Sequence, residues 1–130
     1  MATTDERGRP HPALLAYGEV LALSPSLVRL AVSAGSTTER NLRERRAVTL
    51  CLVGPDGACY VKAAARALPS EGSSSDAGIA VFEAAVEDVL VDSPAPGEEA
   101  WLTGGITFAA GDPARRARES AARLEALRRA

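Results

Sequence analysis

Apolar and polar positions alternate most cleanly along residues 27–33, where Val28, Leu30 and Val32 are separated by Arg29, Ala31 and Ser33. A period of two sends one set toward a core and the other away from it, so the stretch predicts a half-buried strand. The small residues Ala34-Gly35-Ser36-Thr37 end the alternation and predict a turn. A short charged helix is expected over residues 38–46. Ser36 or Thr37 can cap it, with Glu39 placed for a capping box if Ser36 is the cap. Residues 47–53 then form a short run of β-branched residues and leucine, which predicts a strand buried on both faces.

The segments around this centre follow in order. Residues 11–24 are extended and mostly apolar, with Gly18 interrupting them as a bulge or a close backbone approach. Glu19, the one charge there, is expected to face solvent. In residues 58–68 Tyr60, Lys62 and Arg66 alternate with Cys59, Val61, Ala63, Ala65 and Ala67. That pattern gives one core face and one cationic face, on a strand that pairs back on residues 47–53. The Ser- and Gly-rich residues 69–78 predict an exposed loop that tolerates shortening. Residues 79–92 are ambiguous: Glu83 and Glu87 have helical spacing, whereas the flanking valines favour a strand. Gly104-Gly105 enters a further strand, and Asp112-Pro113 opens a helix over residues 113–130. Its apolar stripe, Ala117, Ala121, Leu124 and Leu127, is thin.

Composition narrows the class. A chain of 130 residues is expected to form one domain with a core of its own. The net charge of −2 argues against a nucleic-acid partner, which selects for a basic face. With 46% hydrophobic but only 4% aromatic residues, the core must be built from Ala, Val and Leu. No apolar run reaches the length of a membrane span, and residues 1–6 lack a signal-like pattern, so a cytoplasmic protein without membrane contact is expected. Cys51 and Cys59 flank Gly54-Pro55-Asp56-Gly57. A four-residue hairpin there sets Val53 against Ala58 and Leu52 against Cys59, so the cysteines point to opposite faces and stay free. Buried thiols are expected. The single His11 makes no metal site.

The candidate chemistry lies at the helix start. Free N–H groups, the hydroxyls of Ser36, Thr37 and Thr38, and Arg40 one turn on can receive a phosphate. The alternative is that these residues only cap the helix and solvate its face.

The order of these segments resembles the small FMN-binding split-barrel proteins related to pyridoxamine 5′-phosphate oxidase. The likeness is carried by Gly8-Arg9-Pro10 before a long strand, by SAGSTTERNL at residues 33–42, by the hairpin of residues 48–66, and by VEDVLVD and GGITF at residues 86–92 and 104–108. The resemblance implies a mainly β fold, a six-stranded antiparallel split barrel with a short helix after the third strand. Residues 1–110 would form the barrel and residues 111–130 a C-terminal helix. It implies a strand for residues 79–92 and a homodimer with two flavin sites between the subunits. The strand around Leu15 and the edge Val32-Ser33 would lie along the flavin ring. Ser36, Thr37, Thr38, Arg40 and Asn41 would hold the FMN phosphate, with Lys62 and Gly105 reaching the site from the second subunit.

In one respect the chain departs from that family. Flavin-binding members often carry an arginine–lysine pair after the turn serine, where this chain has Thr37 and Thr38. Arg40 is the nearest cation, and Glu39 opposes an anion if it points inward. The implied function is FMN binding in a flavin-dependent oxidoreductase acting on a small molecule, with the cofactor supplying the hydride chemistry. The alternatives are a cofactor binder without turnover and a dimeric scaffold with a degenerate pocket. Full pyridoxamine phosphate oxidase activity is not expected, because no Trp and Arg pattern follows Trp101. Deazaflavin and heme, bound by relatives of the fold, rank below FMN.

Overall fold

The computed structural model describes residues 1–54, 57–69, 78–98, 103 and 111–130. Seven strands form one antiparallel sheet: β1 (Ala2–Thr4), β2 (Pro10–Pro12), β3 (Val20–Ser24), β4 (Leu27–Ser33), β5 (Ala47–Gly54), β6 (Gly57–Ala67) and β7 (Ile79–Asp92). Their order is β2-β1-β5-β6-β7-β4-β3. Helix α1 (Thr37–Arg45) follows β4, and α2 (Pro113–Arg129) ends the chain. The fold is mainly β. Among the described residues the sheet is open, with β2 and β3 at its ends, so a closed six-stranded arrangement is not seen there. The strand count differs from six partly because residues 11–24 do not form one strand. They break after Pro12, and Gly18 (φ +90°) lies in a turn before β3.

β4 lies one strand in from the β3 end of the sheet, and both of its faces are used. Val28, Leu30 and Val32 join Leu42 of α1, Val48, Leu50 and Phe82 in the larger core. Ala31 faces the other way and meets Ile79, Val81 and Leu127 of α2. The two helices therefore cover opposite faces of the sheet, α1 beside β1, β4, β5 and β6, and α2 beside β3 and β4. Small residues at Ala63, Ala65, Ala80 and Ala84 let β6 and β7 lie close under this core, which offsets the scarcity of aromatic side chains.

The 79–92 segment is a strand, and its first six residues are inside or half-buried while its last six are exposed. β5 is not buried on both faces: Val48 and Leu50 are inside, whereas Ala47 and Cys51–Val53 are exposed. The hairpin register is the expected one, with Val53 opposite Ala58 and Leu52 opposite Cys59. The cysteines are free but not buried, Cys51 being exposed and Cys59 partly so. The physical reason is length, since β5, β6 and β7 run on past the helices that cover the rest of the sheet. The Ser- and Gly-rich loop at residues 70–77, the strand expected at residues 104–108, and Trp101 lie outside the described residues.

α2 is held by charge as much as by its apolar stripe. Arg66, Glu83 and Arg29 form a row across β6, β7 and β4, with Arg66 paired to Glu83 and Arg29 Nε 3.4 Å from the same carboxylate. Arg29 Nη1 donates to the carbonyl of Leu127 at 2.8 Å, satisfying an otherwise open group at the helix end. Leu127 is fully buried, whereas Ala117 and Ala121 of the predicted stripe are exposed. No helix among the described residues is long and apolar enough to cross a membrane.

Candidate functional site

The start of α1 is built by a local rule. Ser36 is the cap, its hydroxyl accepting the Glu39 amide at 3.1 Å. The Glu39 carboxylate reaches back to the Gly35 amide at 2.6 Å, one residue before the usual capping-box partner. Gly35 (φ +74°) makes the turn that brings its amide there. Arg43, one turn on, donates to Glu39 at 2.8 Å. The Gly35 amide and the Arg43 guanidinium together hold the Glu39 carboxyl below the ordinary carboxylate range. Of the first-turn amides, Glu39 donates to Ser36 and Arg40 donates to the Ser36 carbonyl, which leaves those of Thr37 and Thr38 without a partner among the described residues.

A cleft of about 140 Å³ lies beside this helix start. Leu14, Leu15, Val32, Ser33, Ser36 and Thr38 line it, together with Met1 and Glu19. Five residues expected at a cofactor site, Leu15, Val32, Ser33, Ser36 and Thr38, thus meet in one place, Leu15 from the segment before β3 and the other four from the end of β4 and the start of α1. Thr38 is nearly buried.

Other expected residues do not line the cleft. Thr37 and Arg40 are exposed on the outer side of α1. Asn41 is buried and donates to the Thr3 hydroxyl at 3.0 Å, tying α1 to β1. Lys62 stands on β6 with Asp88 at 3.3 Å. Gly105 lies outside the described residues. Residues 13–16 pass along the cleft as irregular chain rather than as a strand, with Leu14 79% exposed.

Glu19 is a correction. It does not face solvent but pairs with Arg123 of α2 and accepts the Ala16 amide at 2.7 Å. A carboxylate placed between a backbone amide and an arginine is a structural anchor, although it also touches the cleft. Its isolation in an apolar segment was the only local signal, since Arg123 is 104 residues away. Gly18, beside it, marks the close approach expected: a Cβ there would stand 2.5 Å from the Ser120 carbonyl oxygen.

The donor set can be compared directly with FMN. Hydroxyls of Ser36 and Thr38 and two open amides suit a phosphate. The ionised Glu39 opposes one, and among the described residues no arginine or lysine lines the cleft. A volume of 140 Å³ is well below the roughly 300–1,000 Å³ of small-molecule pockets, so the described residues of one chain leave room for a phosphate and do not enclose a flavin ring system. A larger apolar groove of about 530 Å³ runs between Ala16-Tyr17 and α2, lined from Pro113 at the start of that helix to Leu124.

No protein-family model matches this chain, and no curated protein matches it.

Proposed function

We propose that the chain is an FMN-binding protein of the split-barrel kind related to pyridoxamine 5′-phosphate oxidase, acting as a flavin-dependent oxidoreductase on a small molecule. The observation that carries this reading is the convergence of Leu15, Val32, Ser33, Ser36 and Thr38 on one cleft at a capped helix start. Ser36, Thr38 and the open amides of Thr37 and Thr38 would hold the phosphate. Bound FMN would supply the hydride chemistry, and the chain would position it. Among the described residues Glu19 is the one titratable side chain along the cleft, and it is engaged by Arg123, which suits a protein that leaves acid–base work to its cofactor. Because the described residues of one chain do not enclose the ring, the reading includes a homodimer whose second chain completes the site.

The reading of a non-catalytic or degenerate dimeric scaffold is favoured by one specific observation. Glu39 holds the Gly35 amide and the Arg43 guanidinium, two groups an anion would otherwise recruit.

Two measurements separate the readings. The absorption spectrum of the freshly purified protein reports bound flavin. An FMN titration of the parent, Glu39→Gln and Arg40→Ala at one ionic strength then reports the phosphate contacts. Under the flavin reading, Glu39→Gln binds more tightly because a negative charge has gone from the helix start. Arg40→Ala binds as the parent does, because the Arg40 side chain is exposed on the outer side of α1 and does not line the cleft. Equal binding by all three, or by none, leaves the capping role alone standing.

A further inference from the structure

The edges of this sheet are protected unequally. β2 carries Pro10 and Pro12, which cannot extend a ladder from both sides. β3 has a bulge between Ala22 and Ser24 and packs beside α2. β7 loses its β4 partner after Ala85, and its outer edge then presents Glu87, Asp88 and Asp92. Proline, bulges and charges are the devices by which proteins stop an edge from pairing with another chain.

β5 has none of them. Its pairing with β1 ends at Thr49, and among the described residues no strand lies on that side of residues 50–54, Leu-Cys-Leu-Val-Gly. The stretch has no charge, no proline and an unbroken register with β6. Leu50 is 5% exposed and belongs to the core, but Leu52, on the same face, is 52% exposed, and Val53 is 62% exposed. The core face thus continues past its cover as the row Leu52, Cys59 and Val91 across three strands.

We propose that residues 50–54 of β5 pair antiparallel with the same residues of a second copy of this chain, about a two-fold axis that passes between the two copies of Leu52 and is normal to the sheet. That operation sets Leu52 against Leu52, Cys51 against Val53 and Leu50 against Gly54, so no like charges meet. It also keeps the core faces of both copies on one side of a joined six-stranded ladder, β7-β6-β5-β5-β6-β7. The same operation on β7 would set Glu87 against Asp92, carboxylate facing carboxylate. The β5 edge is therefore self-complementary, as an isologous interface requires. This inference rests on the homodimer in the reading above and adds the surface that makes it.

Sedimentation velocity at micromolar concentration tests it on the parent, Leu52→Lys and the control Leu23→Lys, an exposed leucine on β3. Melting followed by circular dichroism reports whether each variant is folded. The parent and Leu23→Lys should sediment as two chains and Leu52→Lys as one, because two lysines would face each other at the axis. Independently, Val53→Cys in a Cys59→Ser background should give a reducible covalent dimer on mild oxidation. Cα atoms directly opposite across antiparallel strands are about 4.5–5.5 Å apart, within disulfide reach. A parent dimer that persists in Leu52→Lys and forms no such link overturns the β5 interface and leaves the homodimer standing. A monomeric parent overturns both.

Discussion

Glu39 shows how one side chain decides between capping and binding. Its carboxylate is bonded to the Gly35 amide and to Arg43, and both favour the charged form. A carboxyl whose folded pKa is depressed adds stability that is fully present above its unfolded pKa. That stability is lost as pH falls through the lower folded value. Glu39→Gln should therefore be less stable than the parent at neutral pH by about 0.5–1 kcal/mol, the worth of one charge at a helix start. The gap should close as the pH falls through and below the ordinary carboxylate range, measured by urea denaturation at a series of pH values. A gap that stayed constant with pH would mean that the carboxylate's charge contributes nothing there. The same substitution is expected to strengthen FMN binding, so stability and ligand affinity should move in opposite directions at this residue.

The docking of α2 onto the sheet depends on two contacts that no helical periodicity announces. Arg29 joins the Glu83 carboxylate to the Leu127 carbonyl. Gly18, at φ +90°, lets the chain lie against the Ser120 backbone. Arg29→Ala should lower stability by about 2–3 kcal/mol, since it leaves a half-buried carboxylate with one partner and a helix end uncapped. Gly18→Ala should cost about 2–4 kcal/mol, adding left-handed strain to a clash with backbone that cannot rotate away. Hydrogen exchange over residues 113–129 should rise in both variants while α1 keeps its protection. Equal loss over both helices would show that α2 does not open on its own. These contacts mark the boundary of what the sequence discloses. Ser36 and Glu39, three residues apart, announce their helix start, and the turn after Val53 fixes the register of Leu52 with Cys59, because both devices are local. The Glu19–Arg123 pair and the break in residues 11–24 are set by tertiary contact with α2. The exposure of Cys51 follows from strand length relative to the helices above it. Of the residues expected at a cofactor site, Ser33, Ser36 and Thr38 line one cleft and Thr37 does not, whereas the outward direction of Arg40 follows from the face of α1 that the core claims through Leu42.

At the scale of the whole molecule, the small cleft and the unprotected β5 edge lead to a single linkage. If FMN is held at the start of α1 and a second chain encloses its ring, binding and association draw on the same free energy. A ligand that binds the dimer and not the monomer stabilises the dimer by an amount that grows with ligand concentration, about 2.7 kcal/mol at a hundredfold excess over Kd. Saturating FMN should therefore lower the protein concentration at which half the chains are dimeric, and the apparent Kd for FMN should fall as protein concentration rises. Sedimentation with and without FMN across a hundredfold range of protein gives both quantities. Riboflavin, which lacks the phosphate, serves as the comparison. A shift with FMN and none with riboflavin places the linkage at the helix start. Equal shifts place it at the ring and leave Ser36 and Thr38 with only their structural roles. A mass distribution unmoved by either flavin would mean that the dimer, if it forms, does not complete a flavin site.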